Sequence, residues 1–136
     1  MNNISLEEFK KLPEYQQFID ENPSKGILKV QVFTADQAIP LADTEIYITK
    51  EIGDYNVLFF QGITDSSGII DNIELPAPGG EYNAETFEIP EYTTYNLIAS
   101  NEMYKTIKQY QISMFGDIRV LQYVKMIPNL GEQNGS

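Results

Sequence analysis

Asp65, Ser67, Asp71 and Glu74 crowd one short stretch of the chain, and oxygen donors set this closely are the raw material of two chemistries. Two carboxyls roughly 5–10 Å apart across a cleft can act as acid and base on a glycosidic bond. A calcium ion instead takes roughly six to eight oxygens around a tight loop. Here Asp65 opens a turn while Asp71 and Glu74 sit in the strand that follows, and the spacing of a calcium-binding loop is absent, so solvated carboxylates are the expected state. Lys29 and Asn129 raise a third chemistry, an amide cross-link between first and last strands. Alternation turns Lys29 away from Leu28, Val30 and Val32, and Asn129 falls beyond Pro128, so no such bond is expected. Tyr82, Tyr92 and Tyr104 offer a fourth, flat faces with polar tips on which a sugar could stack, whereas Tyr95 reads as core. Histidine, cysteine and tryptophan are missing. Imidazole and thiolate catalysis are thereby removed, and no catalytic, cofactor-binding or metal-ligating residue is assigned.

The elements that would position these residues change character at one place. Ser5 followed by Glu8 is a capping box that predicts a helix start. Leu6, Phe9 and Leu12 give that helix an apolar side, Pro13 interrupts it, and Tyr15, Phe18 and Ile19 continue the spacing until Asn22-Pro23. This arm, 1–25, either packs over an end of the remaining fold or serves as a docking arm with Phe9 and Phe18 turned to a partner.

From Gly26 onward the periodicity is two. Leu28, Val30 and Val32 oppose Lys29 and Gln31, and Ile46 and Ile48 oppose Glu45, Tyr47 and Thr49, the pattern of half-buried strands. Further strands are predicted over 57–64, with Gly62 as a bulge, and over 69–75 and 94–100. An irregular one spans 105–112, and the last, 118–126, turns Ile118, Val120, Val124 and Met126 inward. Thr64-Asp65-Ser66-Ser67-Gly68 carries an Asp at the turn start and a Gly where a positive φ is wanted. Pro76-Ala77-Pro78-Gly79-Gly80 opens a long connection between sheets. Seven strands with turns between them predict an all-β, antiparallel Greek-key sandwich over 26–129, behind a short helical segment and ahead of a disordered tail, 130–136.

At 136 residues the chain suits one domain. A net charge of −11 disfavours nucleic acid and anionic membrane as partners. No run approaches the ~20 apolar residues of a membrane span. The opening MNNISLEEFKKL lacks the regions of a secretion signal, so as written the chain is expected to stay in the cytoplasm or leave by another route.

The order of these motifs resembles the carboxypeptidase regulatory-like, or prealbumin-like, domains. GILKVQVFTADQAIPLADTEIYI resembles their opening pair of strands, TDSSG their Thr-Asp-x-x-Gly turn, and YNLIASNEMYKT their Tyr-x-Leu strand followed by Gly-Tyr, with Met103 in place of that Gly. TDSSG, LPAP, YTTYN and FGDIRVLQYVKMIPN resemble more closely the version found in clostridial secreted proteins and in spore cortex-lytic enzymes. The resemblance implies a non-catalytic accessory module that binds a protein partner, in a spore or cell-envelope assembly. The competing expectation is carbohydrate binding through Tyr82, Tyr92 and Tyr104. A transthyretin-like hydrolase would share the fold, but that resemblance requires histidines and a Tyr-Arg-Gly-Ser ending, and this chain has neither.

Overall fold

Alternating apolar residues need a second layer to face, and the computed structural model, which describes residues 2–34, 39–79, 91–104 and 107–127, supplies it as two sheets. The elements are β1 (Asn2–Ser5), α1 (Leu6–Phe9), α2 (Pro13–Glu21), β2 (Ser24–Thr34), β3 (Ile39–Pro40), β4 (Glu45–Ile52), β5 (Tyr55–Ile63), β6 (Ile69–Ala77), β7 (Tyr92–Ser100), β8 (Lys108–Phe115) and β9 (Arg119–Met126). One sheet runs β1-β5-β4-β7-β8. In the other, β2 pairs with β3, β6 and β9.

All seven expected strands are present, as β2 and β4 to β9, and the β-sandwich stands. Two refinements follow from the pairing. β1 and β3 are additional short strands, and the β1–β5 and β2–β9 pairs are parallel, so the sheets are mixed. The inward residues are those of the period-2 reading: Leu28, Val30 and Val32 from β2, Ile46 and Ile48 from β4, Tyr95, Leu97 and Ala99 from β7, and Val124 and Met126 from β9. Each fully buried aliphatic side chain contributes about 1.5–3 kcal/mol through removal from water. Ile118 departs from the expectation. It precedes β9 and is exposed.

The N-terminal arm is part of this core. Ser5 caps α1, its Oγ accepting from the Glu8 amide at 3.1 Å, and Pro13 occupies the first turn of α2, where its missing N–H leaves no bond unmade. Phe9 is 0% and Phe18 4% exposed. Phe9 meets Tyr15, Phe18 and Tyr55 with ring centroids 5.9, 6.3 and 6.5 Å apart, and Phe18 meets Phe59 at 5.6 Å. The expectation that Phe9 and Phe18 touch a partner is therefore corrected, since both rings already face this chain's own sandwich.

Gly62 is not a bulge. It pairs with Ile46, and an added Cβ would stand 2.7 Å from the Phe60 ring. The extra residue is Phe59, where the register steps between Ile48/Phe60 and Thr49/Leu58. Gly68 does what TDSSG requires, with φ +74° and no room for a side chain against the Val32 carbonyl. Ile107 and Tyr110 conflicted in parity because β8 begins only at Lys108, and among the described residues β8 pairs with β7 alone. Asn129 and the 130–136 tail lie outside the described residues, as do Tyr82 and most of the long connection. Among the described residues no helix is long and apolar enough to cross a membrane.

Candidate functional site

Three loops meet at one end of the sandwich: the approach to β4, the turn between β5 and β6, and the turn after β7. Each contributes one buried polar residue, Thr44, Thr64 and Asn101, and buried polar groups hold position only when bonded. Thr64 Oγ1 donates to the Leu41 carbonyl at 2.7 Å and accepts from the Thr44 amide at 3.0 Å. The Asn101 side-chain amide donates to Thr44 Oγ1 at 2.9 Å and to the Ala42 carbonyl at 3.3 Å. Asn101 Oδ1 accepts from the Met103 amide at 3.0 Å, and the Tyr104 amide reaches the Asn101 carbonyl at 3.0 Å. One network thus binds loops far apart in sequence.

On this frame lies a cleft of about 440 Å³ lined by Ala42, Asp43, Glu45, Ile63, Ser100, Asn101, Glu102 and Met103. Asp43 enters it from a left-handed backbone, φ 59°. Glu45 and Ser100 are direct cross-strand partners at the ends of β4 and β7, which is how the ladder brings them to the same rim. Glu45 Oε2 accepts a 2.7 Å hydrogen bond from the Tyr47 hydroxyl, and that bond, more than the neighbouring charge, pushes the Tyr47 pKa above the usual phenol value. Among the described residues, three carboxylates and no basic side chain line the cleft, while Ile63 and Met103 supply apolar walls. Such a surface attracts a cation and offers carboxylates for proton transfer. Among the described residues no group of three or more His, Cys, Asp or Glu stands close enough to hold a metal ion.

The residues singled out from sequence lie elsewhere. Asp65 Oδ1 accepts from the Ser67 and Ile69 amides at 2.9 and 3.0 Å, so this carboxylate shapes its turn. Asp71 pairs with Arg119 at 3.0 Å and Glu74 with Lys25 at 3.4 Å, both exposed, and such pairs are worth little, about 0–1 kcal/mol. The three carboxylates do not converge. Tyr92 is exposed at the start of β7 and stacks obliquely on Phe115, its ring centroid 5.5 Å away. Tyr104 lies beyond the other end of β7, partly buried against the core. The eight residue steps from Tyr92 to Ser100 at the far end of β7 span about 26 Å at ~3.3 Å per residue, so Tyr92 and Tyr104 form no single sugar platform. Tyr95 is core as expected, with its hydroxyl bonded to the Pro76 carbonyl. Met103 needs no glycine in its place, because the left-handed non-glycine residues among those described are Asp43, Asn72 and Asp117.

Sequence reasoning missed the cleft, and only part of it carried a signal. Glu45 was assigned to the outward face of its strand, but Asp43 and Glu102 are loop residues whose meeting depends on the β4–β7 register. Lys50 was also overlooked, although it shares parity with Ile46 and Ile48 and lies opposite the buried Val57.

No protein-family model and no curated protein matches the chain. Solved structures do. 5-Hydroxyisourate hydrolase of Klebsiella pneumoniae aligns with 76% of this chain and 91% of its own at 16% identity, TM-score 0.52. An (S)-allantoin synthase aligns with 80% at 13% identity, TM-score 0.54, and the chain spans 42% of that protein. A 3-chlorocatechol 1,2-dioxygenase from Rhodococcus opacus aligns with 80% at 12% identity, TM-score 0.51. At these identities the likeness is one of fold, a prealbumin-like, or transthyretin-like, β-sandwich. It nevertheless corrects the expectation of a non-catalytic accessory module, with its carbohydrate-binding alternative, because these solved neighbours are enzymes.

Proposed function

We propose that the domain binds a small organic cation in the acidic cleft bounded by Asp43, Glu45 and Glu102. The observation that carries this reading is a hollow of about 440 Å³ with three carboxylates and, among the described residues, no base on its walls, set on a buried network that joins all three loops. The volume falls in the range of small-molecule sites, about 300–1,000 Å³. An alkylammonium or guanidinium group would be held by Glu45 and Glu102, and its carbon chain would lie against Ile63 and Met103. Glu45 is held in place for that contact by the hydrogen bond it accepts from the Tyr47 hydroxyl. Hydrolysis of 5-hydroxyisourate is not carried over, since that resemblance requires histidines and the chain has none. The order of TDSSG, LPAP, YTTYN and FGDIRVLQYVKMIPN supports placing the chain beside the clostridial version of the fold, and the net charge of −11 supports a partner that is not nucleic acid.

Backbone amide NMR during titration with agmatine, which carries an ammonium and a guanidinium, tests the reading. Saturable shifts confined to residues 42–45 and 100–103, and abolished by Glu45→Gln with Glu102→Gln, are expected. Shifts spread evenly over acidic residues, or unchanged in the double variant, would overturn it.

A further inference from the structure

We propose that Lys50 is a reactive amine which captures a small uncharged carbonyl compound as an imine, in a hollow between β4, β7 and β8. The site arises because two strands part. β4 and β7 pair from Glu45/Ser100 to Thr49/Asn96 and no further, while β7 and β8 stay paired to Tyr92/Phe115. Continued in register, the ladder would have set Lys50 opposite Tyr95 and Glu51 opposite Thr94. Instead Lys50 Nζ donates to the Thr94 carbonyl at 2.8 Å, so an ammonium stands where a ladder amide would have been.

The surroundings of that nitrogen are unusual for a lysine. Lys50 Nζ lies 5.5 Å from the centroid of the Tyr95 ring, and among the described residues its partners are this ring and the Thr94 carbonyl, with no carboxylate. Burial holds its pKa below the ordinary lysine value. A half-buried amine bonded only to neutral groups exists as free base more readily than a solvated one, and the free base is the nucleophile.

Beside it is a cavity of about 280 Å³ lined by Lys50, Glu51, Thr94, Asn96 and Gln111. Asn96 and Gln111 are direct cross-strand partners and so present their amides on one face. Amides of this kind bond hydroxyl and carbonyl oxygens, while Glu51 turns away anions. The ligand class that fits is a short, neutral hydroxyaldehyde. The Lys50 nitrogen adds to the carbonyl carbon, its two protons pass in turn to the carbonyl oxygen, first giving a carbinolamine, and that oxygen then leaves as water. A C=N bond replaces the C=O bond.

Glycolaldehyde with cyanoborohydride, which delivers hydride to the imine carbon, makes the event permanent, and peptide mapping locates it. At limiting reagent Lys50 is expected to be modified ahead of the exposed Lys25. Asn96→Ala with Gln111→Ala is expected to slow labelling of Lys50 and leave Lys25 unchanged, and Lys50→Arg to abolish the early adduct. Labelling spread over the exposed lysines, or a Lys50 rate indifferent to loss of both amides, overturns the proposal.

Discussion

Replacing Phe9 by alanine tests whether the N-terminal arm is structural. The ring is fully buried and sits at the centre of an aromatic group with Tyr15, Phe18 and Tyr55. Truncating a buried phenylalanine costs about 3–5 kcal/mol, and aromatic neighbours add about 0.5–1.5 kcal/mol each beyond area, which places Phe9→Ala near the upper end. A chain of 136 residues is stable by about 7–20 kcal/mol, so the variant should still fold. With a urea slope of about 2 kcal/mol per molar, the unfolding midpoint should fall by about 2 M at unchanged slope. Tyr92→Ala, a control on an exposed ring, should lose less than about 1 kcal/mol. Equilibrium urea unfolding followed by circular dichroism reads both. A Phe9→Ala loss no larger than that of Tyr92→Ala would refute the reasoning and return the arm to a partner.

Further outcomes follow from the same contacts. Gly68→Ala places a Cβ at positive φ against the Val32 carbonyl and should cost about 2 kcal/mol or more, read by thermal unfolding. Asn101→Ala strips the Thr44 hydroxyl and the Ala42 carbonyl of a buried donor and should cost about 1–3 kcal/mol by urea unfolding, with amide shifts concentrated in the three loops. Burial raises the Tyr95 pKa far above 10.0, so above pH 10 the unfolded chain releases a proton that the folded chain keeps, and stability falls with pH by about 1.4 kcal/mol per unit. Tyr95→Phe should remove that alkaline loss. Lys50 has the opposite sign: its folded pKa lies below 10.5, so stability rises with pH from the folded value up to 10.5, and Lys50→Met should flatten the rise in urea unfolding measured against pH.

Where one rule of local chemistry decided the outcome, the sequence could be read. Alternation at Leu28, Val30 and Val32 and at Ile46 and Ile48 named the inner faces, and Asp65 with Gly68 named the tight turn. The parallel pairings could not be read, because period-2 alternation is the same whichever way a neighbour runs. Phe9 and Phe18 were ambiguous for a related reason, since an amphipathic arm looks the same whether its apolar side meets its own sandwich or another protein. The cleft was hidden more deeply. Asp65, Asp71 and Glu74 are near in sequence and were spent on a turn and two ion pairs, whereas Asp43, Glu45 and Glu102 are brought together only by register and by the Thr44–Thr64–Asn101 network.

Calorimetric titration of the intact chain with agmatine, beside an uncharged diol of the same length, tests the cation-binding cleft most directly. One saturable site for agmatine, none for the diol, and loss of the site in Glu45→Gln with Glu102→Gln is the predicted result. Equal heats for both compounds, or agmatine binding that survives removal of both carboxylates, would contradict it.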